Sequence, residues 1–190
     1  MNYRSVTLCL LVFLSFFILA CTEDRESVDQ ATTENNQANI DTSYAHSDFV
    51  SFSPDAATGA VVYIPVYSHI YQRDAQRTFN LTTTLSIRNT DLESPITITK
   101  VYYYDSQGNL VQKYLDSPEE VKPISSISYV VEEDDLRGGV GANFLLIWEA
   151  DDSVTQPVIE SVMISAAQNQ GISFLSEGRV IRSLDRDSEE

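Results

Sequence analysis

The chain has 190 residues, of which 28 are acidic and 12 are basic, so its formal net charge at pH 7 is −16. This charge excludes nucleic acid as a partner, because phosphate binding requires a basic surface, and it opposes adhesion to anionic lipid headgroups. The acidic residues are interpreted as solvated surface, which favours solubility and weak cation binding.

The N-terminal segment has the organisation of a bacterial signal peptide. One positive charge, at Arg4, precedes an apolar run over residues 6–19, and the run ends at Ile18-Leu19-Ala20-Cys21. The run is shorter than the roughly 17–25 apolar residues that a membrane-spanning helix needs. Its end resembles a lipobox, at which the signal peptide is removed directly before a cysteine that is then acylated, although Leu19 is bulkier than usual. We predict a signal peptide over residues 1–20 and lipidation at Cys21. An ordinary secretory signal cut elsewhere and a short membrane anchor are the alternatives.

This processing has consequences for cysteine chemistry. It removes Cys9 and leaves Cys21 as the one cysteine, with its sulfur in a thioether. A chain of this kind has no disulfide, no cysteine nucleophile and no thiolate metal site. We predict no cofactor, and a core that is stabilised by burial alone.

Residues 21–47 are predicted to form the lipidated end and a flexible acidic tether, since they contain few large apolar side chains. Thr22 is not the aspartate that retains many lipoproteins at the inner membrane. The outer membrane is therefore favoured if the cell has two membranes, with the domain in the periplasm or at the surface.

Residues 48–183 are predicted to form one domain, and residues 184–190 a disordered acidic tail. Short runs within the domain alternate with period two, which indicates strands. Inward faces are assigned to Val62, Ile64 and Val66, to Leu81, Leu85 and Ile87, to Ile96 and Ile98, then Val101 and Tyr103, and to Ile127, Tyr129 and Val131.

Three local features refine the strand pattern. The change of phase after Ile98 predicts a bulge near Thr99-Lys100, and residues 105–109 suit a hairpin turn. Residues 144–148 are apolar on both faces, as in a central strand. Further strands are predicted near residues 158–166, 172–175 and 179–182. Seven to nine strands predict an all-β fold, a single antiparallel β-sandwich that is immunoglobulin-like, with a small β-barrel as the alternative.

Several segments of the domain resemble an uncharacterised bacterial family of exported and lipoprotein-type proteins, which is known only as a domain of unknown function. They are VYIPVYSHIY (62–71), FNLTTTLSIRNTD (79–91), PITITKVYYYDSQGNLV (95–111), VEEDD (131–135), GGVGANFLLIW (138–148) and QGISFLSEGRVI (170–181). The resemblance implies export. It supplies no catalytic residue.

Catalytic and metal-binding patterns are weak in this sequence. A serine or threonine nucleophile needs a neighbouring base, and the two histidines, His46 and His69, accompany no such pattern. The glycine-rich residues 138–141 lack the lysine and following helix of a phosphate-binding loop and are interpreted as a turn. We predict no metal site. The weak candidates for calcium, which prefers several carboxylates, are Glu132, Glu133, Asp134, Asp135, Asp151 and Asp152.

The strand that begins near Val61 offers a candidate binding face. Regular alternation places Tyr63, Tyr67, His69 and Tyr71 on one side, and tyrosine is common at interfaces. Pro65 on the same side indicates an edge strand or a bulge. A second buried layer is the structural alternative for these rings.

The predicted function is a membrane-tethered, non-enzymatic binding or accessory domain of the bacterial cell envelope, with an envelope protein as its partner. A structural lipoprotein without a soluble ligand is the first alternative. A calcium-dependent or hydrolytic enzyme is the second.

Overall fold

The computed structural model describes residues 50–166 and 171–185, so the predicted signal peptide, Cys21, the whole tether and residues 186–190 of the predicted tail lie outside the described residues. Within the described ranges no helix is long and apolar enough to cross a membrane. The strands are β1 (Thr58–Pro65), β2 (His69–Gln72), β3 (Asp74–Asn80), β4 (Thr82–Arg88), β5 (Ile96–Tyr104), β6 (Leu110–Lys113), β7 (Glu119–Val121), β8 (Ser126–Val131), β9 (Asn143–Ala150), β10 (Val158–Ser165), β11 (Ile172–Glu177) and β12 (Arg179–Asp185), with a 3₁₀ turn at Gly139–Gly141 before β9.

The strands form three antiparallel sheets. The larger sheet has six strands, in the order β12-β1-β9-β5-β6 with β7 beside β5, and the smaller has four, in the order β11-β10-β4-β8. A separate hairpin joins β2 to β3. None of the sheets in the described ranges closes into a barrel. The prediction of an all-β, antiparallel sandwich is confirmed.

The core lies between the two main sheets and follows the predicted alternation. Its buried side chains include Ile64 from β1, Leu85 from β4 and Leu146 from β9, each with no exposed surface. Burial of one such side chain contributes about 1.5–3 kcal/mol. The inward faces predicted for β1, β4 and β5 all belong to this cluster, and those predicted for β8 lie in it or against it.

Strand β9 is central, as predicted, because it pairs with β1 on one side and β5 on the other. Its Leu146 packs in the main core, while Ile147 on the opposite face joins Val61 in a second cluster beneath Val50 and Phe52. The predicted bulge is present too, since the β5–β9 register shifts between Ile98 and Lys100.

The structure has twelve strands where seven to nine were predicted, because two predicted strands are divided and the short strand β7 was not predicted. The run from residue 61 to residue 71 breaks after Pro65, and the run from residue 79 to residue 88 breaks at Leu81. The two breaks lie side by side, because the carbonyl of Ser68, which follows the first break, accepts the amide of Leu81 at the second break at 2.9 Å. The β2–β3 hairpin leaves the sandwich at this point, and alternation alone could not show it.

The end of the domain also differs from the prediction. Strand β12 continues to Asp185, which lies opposite Thr58 of β1. Backbone pairing therefore places residues 184 and 185 in the domain and not in the predicted tail.

Candidate binding site

The predicted tyrosine face is not one surface, because its members lie on different elements. Tyr63 is in β1, Tyr67 is in the connection after β1, and His69 and Tyr71 are in β2. The ring of Tyr67 contacts that of Phe174 edge-on, with the ring centroids 5.9 Å apart, while the His69 and Tyr71 rings contact each other. Tyr63 lies on the outer face of the larger sheet, opposite Leu145 of β9. The structure thus separates Tyr63 from the other three.

Of the two alternatives that Pro65 indicated, the edge strand is wrong, whereas β1 does contain an irregularity of the bulge type, a register shift against β12 between Val61 and Val62. Strand β1 lies between β12 and β9. The β1–β12 ladder ends at Tyr63, opposite Arg179, whereas the β1–β9 ladder continues to Pro65, opposite Asn143. Pro65 is tolerated because it is the last residue of the strand, beyond the β12 pairing.

The carboxylates considered for calcium fall into two groups that the fold keeps apart. Residues 132–135 follow β8 at the end of the sandwich where β9 begins, whereas Asp151 and Asp152 follow the end of β9. The eight residues of β9 span about 25 Å. Among the described residues no group of three or more His, Cys, Asp or Glu side chains is placed to hold a metal ion.

An open cleft of about 260 Å³ lies beside the first group, lined by Gln112, Tyr114, Val130, Val131, Glu132, Asp134, Asp135 and Arg137. Arg137 donates two parallel hydrogen bonds to Asp135, from Nε to Oδ1 at 2.8 Å and from Nη2 to Oδ2 at 2.7 Å. These bonds lower the pKa of Asp135, and burial raises the pKa of Tyr114 to about 12. The carboxylate is thus a weak base and the phenol is neutral at pH 7, as expected for a structural ion pair and not for a general base.

The glycine turn, residues 138–141, closes this end of the sandwich. Ser68 Oγ accepts the Gly139 amide at 2.8 Å and Ser106 Oγ accepts the Gly141 amide at 2.9 Å. Gly138 packs so closely on the hydroxyl of buried Tyr103 that a Cβ would overlap it. The turn is a packing element, which agrees with its interpretation from the sequence.

The opposite end of the sandwich is formed by the apical loops, which we define as residues 89–95, 122–125 and 151–157. Asn89 connects the first loop to the larger sheet. Its side chain is 2% exposed, and Nδ2 donates to the carbonyls of Ser94 at 2.9 Å and Val121 at 3.0 Å. Its Oδ1 accepts the Asp91 amide at 2.9 Å. One buried amide group therefore holds three backbone groups.

Asp91 extends this bracing to the third loop. Oδ1 accepts the amides of Glu93 and Ser94, and Oδ2 accepts the amide of Thr155, all at 2.9 Å. These bonds from backbone N–H groups lower the pKa of Asp91 to about 2. The carboxylate accepts three of the protein's own backbone amides, so it fixes the shape of the loops.

The second loop contains a conformationally strained residue. The Ser125 amide donates to the Lys122 carbonyl at 3.1 Å, which closes a β-turn with Pro123 and Ile124 at its centre. Ile124 has a φ of +56°, and a type II turn requires a positive φ at this position, which glycine or asparagine normally supplies. A β-branched residue with positive φ is a genuine outlier, and its backbone is held in place by a hydrogen bond from its amide to the Asp91 carbonyl at 3.2 Å.

The braced backbone presents two aliphatic side chains to solvent. Leu92 is 80% exposed and Ile124 is 64% exposed, the highest fractions among the large hydrophobic residues that the structure describes. The hydrogen bond between the Ile124 amide and the Asp91 carbonyl places the backbone of Ile124 beside the residue that directly precedes Leu92. A shallow cavity of about 270 Å³ adjoins Ile124, lined by Arg88, Asn89, Thr90, Ile124, Ser125 and Ser126. We define Leu92 and Ile124 as the apical pair, the candidate binding site.

Sequence reasoning missed the apical pair because an isolated exposed aliphatic residue leaves no period in the sequence. One signal was available. Pro123 followed by Ile124 lies between two strands, where proline predicts position two of a turn and glycine or asparagine is expected next. An isoleucine at that position is a local conflict of the kind that marks functional sites.

Comparison with known proteins was made on sequence and on structure. The family model described as "Protein of unknown function (DUF3124)" matches residues 59–181. No curated protein has significant similarity to the chain. Among solved structures, the crystal structure of Thermotoga maritima 1070 is similar, with 13% identity and a TM-score of 0.39 over 64% of this chain and 93% of that chain.

Proposed function

The chain belongs to the DUF3124 family of proteins of unknown function, and we propose that it is a membrane-tethered, non-enzymatic binding domain of the bacterial cell envelope. The observation that carries the binding role is the apical pair, two exposed aliphatic side chains on a backbone that buried polar groups hold rigid. A rigid contact residue loses little conformational entropy when a partner binds.

The tether is supported by the sequence that ends at Ala20-Cys21. One acyl chain gives only reversible membrane binding, whereas two or more give stable anchoring. A multiply acylated Cys21 would therefore hold the domain at a membrane, and the acidic residues that follow it would separate the domain from the lipid surface.

The non-enzymatic role is supported by how the ionisable groups of the domain are used. Asp91 accepts backbone amides, and Asp135 accepts the guanidinium of Arg137. Both carboxylates have lowered pKa values, whereas a general base works best with a pKa near the operating pH. The carboxylates of Asp91 and Asp135 therefore act in the structure of the loops and not as general bases.

The test of the tether compares cysteine variants of the full chain in bacterial cells grown with a clickable palmitate analogue. We expect the wild type to carry the label and to pellet with membranes, and Cys21→Ser to lose both properties.

Cys9→Ser is the matched control, since Cys9 lies in the same apolar run. It should be labelled and should pellet like the wild type. A wild-type chain without label, with the same membrane-bound fraction as Cys21→Ser, would exclude the lipid anchor.

A further inference from the structure

We infer that the apical pair inserts into an apolar pocket with a basic rim on another protein. This inference rests on the proposed function and adds the chemistry of the partner. Two observations carry it: the strain at Ile124 and the charge of the apical loops.

The strain shows that Ile124 is not explained by the fold. Its side chain is 64% exposed, so it adds little to the core, while its positive φ is unfavourable for a β-branched residue. Glycine or asparagine would fit the same turn without this penalty. Strained residues cluster at binding and catalytic sites, and an exposed isoleucine is suited to apolar contact with a partner.

The charge of the apical loops identifies the rim of the partner's pocket. These loops contain Asp91, Glu93, Asp151 and Asp152 but only one cation, Lys122. Glu93, Asp151 and Asp152 are exposed. Arg88, which lines the adjoining cavity, is ion-paired with Glu160 at 2.9 Å. An aliphatic pair beside an excess of acidic groups is complementary to an apolar pocket with lysine or arginine at its edge.

The same charge disfavours the other occupants. Anionic headgroups repel an acidic surface. A second copy would bring two acidic surfaces together, which opposes self-association through this site. A protein with a basic rim is the occupant that this charge favours.

The experiment places the photo-reactive residue benzoylphenylalanine at position 92 of the full chain, in the bacterium that naturally produces it, with position 130 on the exposed face of β8 as the matched control. We expect irradiation of envelope membranes to give a protein adduct from position 92 that is absent from position 130. Because its rim contact is electrostatic, the adduct should fall at least fivefold when NaCl is raised from 50 to 300 mM, on the order expected for screened charges. It should fall similarly in Ile124→Gly.

The captured protein, identified by mass spectrometry and purified, is then titrated against the full chain in detergent. Leu92→Ser should weaken binding at least tenfold, an effect of about 1.4 kcal/mol, and Val130→Ser less than twofold. Adducts only to phospholipid or to a second copy, adducts equal to those at position 130, or binding unaffected by Leu92→Ser would each overturn the inference. The cysteine experiment decides the tether separately: an anchored chain without the adduct refutes the pocket alone, and a specific adduct from an unanchored chain refutes the tether alone.

Discussion

At both ends of the sandwich, side chains accept hydrogen bonds from backbone amides, but the loops held in this way serve different roles. At the glycine turn, Ser68 and Ser106 hold backbone amides, and at the apical loops Asn89 and Asp91 do so. At the glycine turn, these hydrogen bonds hold the backbone in tight packing, since Gly138 lies against buried Tyr103. The apical loops use such bonds to hold exposed aliphatic side chains and a strained isoleucine.

The difference separates residues that the fold requires from residues that it only tolerates. A turn that closes the core has a residue type dictated by space, and glycine is the residue that fits there. The apical turn has a residue type that neither space nor backbone favours. Substitution of Gly138 should therefore destabilise the protein, whereas substitution of Ile124 should stabilise it.

The largest effect is expected at the glycine turn. In Gly138→Ala, the new Cβ overlaps the Tyr103 hydroxyl and comes within 2.8 Å of the Ala142 Cβ. The φ of Gly138 is −69°, which any residue adopts, so the penalty is purely steric. We expect the free energy of unfolding to fall by about 3 kcal/mol, as for an overpacked core, in urea denaturation followed by Trp148 fluorescence.

Gly108→Ala in the β5–β6 hairpin is the matched control. Gly108 has a φ of +83° and nothing within 4 Å of an added Cβ, so its penalty is conformational, roughly 1–2 kcal/mol. Removing the Tyr103 hydroxyl in Gly138→Ala/Tyr103→Phe should restore part of the stability lost in Gly138→Ala. A Gly138→Ala protein as stable as the wild type would contradict the packing role of the turn.

The second effect tests the bracing of the apical loops. Asn89→Ala removes the partner of the Asp91 amide and of the Ser94 and Val121 carbonyls. Unsatisfied buried polar groups cost about 1–3 kcal/mol each, and water will reach some of them. We therefore expect a loss of about 2 kcal/mol in the same denaturation assay.

Asn109→Ala serves as the control for Asn89→Ala. The Asn109 side chain donates to Asp105 Oδ2 at an exposed hairpin turn, at 2.8 Å, so its loss should cost less than 1 kcal/mol. Equal effects of the two substitutions would show that Asn89 is no more important to the fold than a surface asparagine.

These contrasts also show which parts of the molecule the sequence predicts. The alternation of Leu85 and Ile87 and the bulge before Lys100 were predicted correctly, because burial of one sheet face imposes a period of two on the sequence. The break at Leu81 was not predicted, because Leu81 is buried in either arrangement and the hydrogen bond to Ser68 spans distant residues. The tyrosine face was wrong as a single surface because the break after Pro65, which alternation does not show either, separates Tyr63 in β1 from Tyr71 in β2.

The third effect concerns acid stability at the apical loops. The pKa of Asp91 is about 2 in the folded protein, because the amides of Ser94, Thr155 and Glu93 donate to its carboxylate, whereas an unfolded aspartate titrates near 3.9. A lowered folded pKa contributes stability that is present above the unfolded value and is lost as pH falls through the folded one. The urea concentration at the midpoint of unfolding should therefore decrease as the pH is lowered from 5 to 2.

Asp91→Asn should be less stable than the wild type at pH 6, and its midpoint should change less across the acid range. Asp116→Asn, at an exposed loop position, is the control and should follow the wild type. If Asp91→Asn and the wild type lose stability in parallel from pH 5 to pH 2, then the carboxylate does not brace the loops.

The smallest effect has the opposite sign, and it is the sharpest test of the contrast between the two ends. Ile124→Asn places in the type II turn a residue that tolerates positive φ. The relief of strain of roughly 1–2 kcal/mol is offset in part by the loss of apolar contact at the base of the side chain, so we expect the free energy of unfolding to rise by about 0.5–1 kcal/mol.

Ile164→Asn is the matched control, because Ile164 is also half exposed but lies in regular strand β10, where asparagine is disfavoured. It should lose up to about 1 kcal/mol on the same scale. Stabilisation at position 124 with destabilisation at position 164 would mean that the chain carries an isoleucine at the apical turn against the preference of its own fold. Destabilisation of similar size at both positions would instead make Ile124 an ordinary structural residue and leave the apical pair without its physical argument.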